Sequence, residues 1–109
     1  MKIFCNERLL ISRADVADTF ITKLTGLLGR SSIDENEGLL LKNCSSIHCF
    51  FMKFTIDAVY LSKNMTVIYK EEIKPWKTGK IVKKACHVLE LKEGKSSELK
   101  IGDTLQLKE

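Results

Sequence analysis

Apolar positions follow two different periods along this chain. From Phe20 to Leu28, the residues Phe20, Ile21, Leu24, Leu27 and Leu28 recur at helical spacing and fall on one face. Asp18 is placed to cap the start of that helix, and Gly29 to end it in a left-handed conformation. Gly26 inside it costs about 1 kcal/mol relative to Ala, which predicts close packing against another element. Elsewhere the segments 2–5, 8–12, 38–42, 47–54, 56–62, 65–74, 85–92 and 103–107 are short, rich in branched or aromatic residues, and bounded by polar or turn-forming residues. These read as strands. The first two form a hairpin around Asn6-Glu7, and Lys63-Asn64 is a two-residue loop of hairpin length. Ser32-Ile33-Asp34-Glu35 matches a capping box and predicts a short turn of helix before Glu37-Gly38; a second helical turn is expected at 97–100.

Several strands are apolar on both sides. In 47–54, His48, Phe50, Met52 and Phe54 point one way while Ile47, Cys49 and Phe51 point the other. Burial on two sides requires a central position, between a second sheet and the helix or inside a barrel. The expected fold is mainly β: a single-domain β-sandwich or partly closed β-barrel of about seven short strands with one amphipathic helix. An α+β arrangement, one sheet with the helix packed on it, is the alternative.

Composition narrows the classes. The 109 residues are 44% hydrophobic and 29% charged, ordinary globular values, and suit one domain over 1–109. No apolar run exceeds four residues, against the roughly 18 needed to cross a bilayer, so no membrane span is expected. The net charge of +4 is uneven: between Lys74 and Lys95 there are seven lysines and two acids. Such an edge attracts acidic partners or nucleic acid, or simply discourages strand-to-strand aggregation. Lysine in place of arginine favours the second reading, since bidentate phosphate contacts prefer Arg.

Cys5, Cys44, Cys49 and Cys86 form no Cys-x-x-Cys pair. Asn6, Glu7 and Arg8 interrupt the apolar core that a signal peptide needs, so a cytoplasmic chain with reduced thiols is expected. His48-Cys49 and Cys86-His87 supply soft-metal ligand types, but neighbours on a strand point to opposite faces, which argues against a shared ion. The same alternation argues against a Cys86-His87 nucleophile and base. Gly26 to Ser32 is not a phosphate loop, because two residues separate its glycines and Arg30 stands where Lys is needed. No metal or cofactor is expected.

The carboxylates make the better case. Asp57 shares a strand face with Val59 and Leu61, and Glu90 shares one with Val88. A buried carboxylate must be paired, hydrogen-bonded or neutralised, with His48 or a lysine of 74–95 as partner. Such groups mark functional sites and structural networks alike. Pro75 gives the chain a defined exit from its strand, leaving Trp76 as a core plug or as the wall of a cleft.

Taken in order, Gly26-Leu-Leu-Gly-Arg30, Gly38-Leu-Leu-Leu41, Ile47-His48, Phe51-Met52, Ile56-Asp57, Pro75-Trp76, Ala85, Leu89-Glu90, Gly94 and Gly102-Asp103 resemble the bacterial and archaeal family catalogued as domain of unknown function 192. The resemblance runs from about Gly26 to Leu107. It implies a small mainly-β domain with no agreed activity, and it makes His48, Asp57, Trp76, Glu90 and Asp103 the residues expected to line any site. Many members carry a signal peptide or lipoprotein-type start, which this sequence does not show. The expected function is a binding module taking a small polar or anionic ligand, or a peptide, in one cleft. The alternatives are a small enzyme using His48 with Asp57 or Glu90 as an acid–base pair, and an interaction protein that uses its lysine-rich edge.

Overall fold

The computed structural model describes residues 1–17, 30–45 and 53–109. The helix predicted from Asp18 to Gly29 lies outside these residues, as does most of the strand predicted at 47–54; Lys53 and Phe54, its described end, are not in a strand. The described chain forms β1 (Lys2–Cys5), β2 (Arg8–Ile11), β3 (Arg13–Ala17), β4 (Glu37–Lys42), β5 (Ile56–Leu61), β6 (Val67–Ile73), β7 (His87–Lys92) and β8 (Leu105–Lys108). A 3-10 turn, Lys95–Glu98, is the one helical element among the described residues.

The first hairpin forms as expected. Asn6 and Glu7 have φ of 52° and 67°, the mark of a type I′ turn, whose twist matches the strands it joins. Glu7 tolerates this left-handed conformation at a cost of roughly 1–2 kcal/mol. The β5–β6 hairpin is longer than its predicted two-residue loop. Met65 donates its N–H to Ser62 O at 2.9 Å and takes φ of 64°, and the register slips between Tyr60 and Leu61.

The predicted capping box is displaced. Ser32 and Glu35 start no helix; instead Asp34 N–H donates to Glu37 Oε1 at 3.1 Å, and Asn36 N–H donates to Asp34 Oδ1 at 2.8 Å. The same reciprocal chemistry thus closes a turn two residues later, directly before β4. Strand β3 was not foreseen. Ala14 and Ala17 are weak strand formers, and parallel pairing with β4 supplies what propensity lacks.

Two sheets result, ordered β2-β1-β8 and β3-β4-β7-β5-β6. Among the described residues they do not close into a barrel, and they are two sheets where the α+β alternative had one. Ile3, Ile11 and Leu105 of the smaller sheet pack with Leu40, Val59, Leu61, Leu89 and Leu91 of the larger, a core between layers. The other face of the larger sheet carries Leu39, Leu41, Ile56, Ala58, Tyr60 and Val88, covered by Ile33, Phe54, Val82 and Ala85. We call these the inner and outer faces. All six residues of β5 are buried, which is the two-sided burial expected of a central strand.

Gly38 is what lets the layers meet. A Cβ there would stand 2.5 Å from Ile11 Cδ1 and 3.1 Å from Leu91 Cδ2. Gly38→Ala is therefore expected to destabilise the fold by about 1–3 kcal/mol in urea denaturation. The loss should shrink in an Ile11→Val background, which removes the clashing methyl; an equal loss in both backgrounds would refute the contact.

Candidate functional site

Two carboxyl groups lie in the central strands, and alternation sends them to opposite faces. Asp57 is 4% exposed and on the inner face with Val59 and Leu61. Its Oδ2 accepts from Gly94 N–H at 3.1 Å, Ser96 N–H at 2.9 Å and Ser96 Oγ at 2.6 Å. These are the orphan donors at the start of the 3-10 turn, so Asp57 acts as a cap delivered from a neighbouring strand. Lys70 serves the other end, its Nζ donating to Ser96 O at 2.7 Å and Leu99 O at 2.8 Å. Negative charge at the start and positive at the end match the dipole of the turn. A shallow depression of about 290 Å³ opens here, lined by Asp57, Lys70, Glu72 and Ser97 among others. Its Asp57 and Lys70 are already committed to holding the turn.

Glu90 is different. It sits in β7 between Leu39 of β4 and Ala58 of β5, on the outer face, 7% exposed. No hydrogen bond from a described residue reaches its carboxyl, and burial pushes its pKa up to about 7. Two residues along the same face of β7 stands Lys92. Lys92 lines a cavity of about 150 Å³ with Ser32, Ile33, Phe54, Thr55 and Glu93. Glu90 does not itself line this cavity; its carboxyl near neutrality and, two residues along the same strand face, a small recess with apolar walls and a few polar groups together make the candidate site.

The outer face holds a second polar group that sequence reasoning missed. Tyr60 is fully buried, and its hydroxyl donates to Glu71 Oε2 at 2.6 Å. Lys80 N–H donates to the same oxygen at 2.9 Å, pinning the 74–86 segment over the sheet. Burial, and then the Glu71 carboxylate, push the Tyr60 pKa upward, so the phenol is a fixed donor. The signal was present in the alternation that placed Asp57: the opposite face of β5 carries a tyrosine whose hydroxyl needs a partner.

The remaining expected site residues lie apart. Trp76 is 57% exposed, on a turn closed by Lys77 N–H to Lys74 O at 3.1 Å, with φ of 66° following Pro75. It is a surface residue, neither core plug nor a lining residue of the cavity beside Glu90. Asp103 stands just before β8, in the other sheet, and accepts from Lys100 N–H at 2.9 Å. That bond, with side-chain bonds to Cys5 and Asn6, holds its pKa below the usual value. His48 lies outside the described residues. Asp57, Glu90 and Asp103 thus do not share one cleft. Among the described residues, no three His, Cys, Asp or Glu side chains gather as metal ligands, and no helix is long and apolar enough to cross a membrane.

The fold and this recess define a small two-layer β protein with two buried carboxyl groups, Asp57 and Glu90, on opposite faces of its larger sheet. The chain matches DUF192, described as uncharacterized ACR, over residues 3–107, and it belongs to that family. Its structure is similar to that of a protein of unknown function from Novosphingobium aromaticivorans DSM 12444. That likeness has a TM-score of 0.85 at 15% identity, covering 97% of this chain and 84% of that one. It is also similar to a putative transcription regulator from Sinorhizobium meliloti 1021, with a TM-score of 0.72 at 18% identity, covering 85% of this chain and 79% of that one. At such identities the likeness carries the fold alone. No curated protein matches the chain.

Two outcomes follow from the opposed carboxyls. Asp57→Ala leaves buried donors unanswered and is expected to cost about 2–4 kcal/mol, with faster hydrogen exchange at the Gly94 and Ser96 amides. Unchanged exchange there would contradict the capping role. Glu90 has a folded pKa raised from 4.5 to about 7, so the folded state holds the proton more tightly. Its contribution is fully present below about pH 4.5 and is lost as pH rises through about 7, a span worth roughly 3 kcal/mol. Urea titrations should show wild type losing that stability relative to Glu90→Gln across this window; parallel profiles would contradict it.

Proposed function

We propose that the chain is one domain whose task is binding. The ligand is a small polar molecule, or a polar side chain of a peptide, held against the outer sheet face beside Glu90. The observation that carries this reading is the Glu90 carboxyl itself, at the centre of the sheet with no hydrogen bond from a described residue. An apolar residue there would cost nothing in desolvation, so an acid at that position points to use. Close to pH 7 the group changes between donor and acceptor. It can accept from a hydroxyl, amide or amine, and in its protonated form donate to an anionic oxygen. Ile33 and Phe54 supply apolar walls and Lys92 a positive charge, the mixture that orients small ligands.

A carboxyl titrating near neutrality also suits proton transfer. Acid–base chemistry by Glu90 with His48 is therefore the second reading. Asp57 is the poorer partner, because its Oδ2 already accepts three hydrogen bonds. A cytoplasmic setting is favoured by Cys5, Cys44 and Cys86 being thiols.

A thermal-shift panel of sugars, nucleotides and amino acids tests the binding reading. A ligand at 100 times its Kd stabilises by about 2.7 kcal/mol. The expected result is a shift in wild type that Glu90→Leu abolishes, while Glu90→Leu alone melts higher than wild type near pH 8. A shift that survives Glu90→Leu, or a Glu90→Leu variant less stable than wild type, would place the role of Glu90 in the fold instead.

A further inference from the structure

At the end of the β4–β7 ladder, two cysteines far apart in sequence are brought together. The strands pair as far as Lys42 and His87, and the ladder then breaks at Asn43, which takes φ of 54°. His87 Nδ1 accepts the Asn43 N–H at 3.2 Å, holding the break in place. Immediately beyond it, Cys44 N–H donates to the carbonyl of Cys86 at 2.9 Å. Cys86 in turn donates its own N–H to Leu61 O at 2.8 Å, so its backbone is tied to β5 as well.

A single backbone hydrogen bond limits how far apart two α-carbons can be. Adding the covalent bonds on either side to the donor–acceptor distance caps the Cα separation at about 7 Å, and the bends along that path shorten it. Disulfides form over Cα separations of roughly 4.4–6.8 Å. Both cysteines also line one surface cavity of about 230 Å³, together with Asn43, Ser45 and Ala85. They are half-buried thiols, open to a small reagent through that cavity. Cys5 is the internal contrast: it is buried, and burial followed by the nearby Asp103 carboxylate pushes its thiol pKa up, away from the reactive thiolate.

We propose that Cys44 and Cys86 are a redox-modification site, a pair that closes into a disulfide by exchange with a low-molecular-weight disulfide such as oxidised glutathione. The thiolate of one cysteine attacks a glutathione sulfur, releasing one glutathione thiolate and leaving a mixed disulfide. The second cysteine, as thiolate, attacks the protein sulfur of that mixed disulfide and releases the second glutathione. Two protein thiols are oxidised by two electrons, one glutathione disulfide is reduced, and the two cysteine protons end on the two glutathione thiols. Reduced glutathione in excess reverses both steps. The bond ties the end of β4 to the start of β7 and closes a loop that contains β5 and β6.

The test uses the whole chain, equilibrated with oxidised and reduced glutathione, alkylated, digested and read by mass spectrometry. The expected product is a Cys44–Cys86 cross-linked peptide, with the chain lighter by two hydrogens, a higher melting temperature, and full recovery on reduction. Cys5 should remain alkylatable after unfolding. Cys49→Ser should leave the cross-link intact. Cys44→Ser and Cys86→Ser should each abolish it and leave glutathione on the remaining partner. Separate glutathionylation of both cysteines in wild type, a cross-link that instead uses Cys49, or no reaction at either would overturn the proposal.

Discussion

Strand β5 is buried along its whole length, and that single constraint organises the protein. Every polar group projecting from β5, and Glu90 in its neighbour β7, leaves water and must be answered from within. Asp57 is answered by three donors at the start of the 3-10 turn, which fixes where the chain turns after β7. Tyr60 is answered by Glu71, and Glu71 by the Lys80 backbone, which fixes how the 74–86 segment lies over the outer face. Each of these groups turns a desolvation cost into a positional instruction. Glu90 receives no such answer from the described residues, and the consequence is electrostatic: its proton is held up to about pH 7.

The same constraint explains how much could be read in advance. Alternation placed Asp57 and Glu90 on buried faces without any structure, since a strand's period of two is rigid. It could not say that the two faces are opposite, because that depends on which strands pair and in what register. The pairings Ala58 with Glu90 and Asp57 with Leu91 settle it. Local turn chemistry was legible where one residue type dominates. Asn6-Glu7 turned as its position between strands implied, whereas Asp34 and Glu37 took over the reciprocal bonds expected of Ser32 and Glu35. Strand β3 was hidden, because alanines carry no strand signal and parallel pairing with β4 is a tertiary effect.

The candidate site was legible in part. Glu90 was identified from its apolar neighbours, but the recess beside it comes from Ile33 and Phe54, which reach it from distant segments. Trp76 illustrates the opposite error. Large aromatics usually bury, and this one sits exposed on a surface turn with positive φ, so the core-plug alternative falls. Membership of DUF192 fixes the family and the two likenesses to solved structures fix the fold, while the proposed binding role rests on the buried Glu90.

Glu90 is an acid in the middle of a buried sheet that no described residue answers. Its carboxyl carbon can be followed directly by carbon-13 NMR in the folded protein, with Glu90→Gln assigning the resonance. A titration midpoint near 7 is the predicted result. A midpoint in the ordinary range for glutamate, near 4.3, would contradict it and leave Glu90 as one more satisfied carboxylate of the fold.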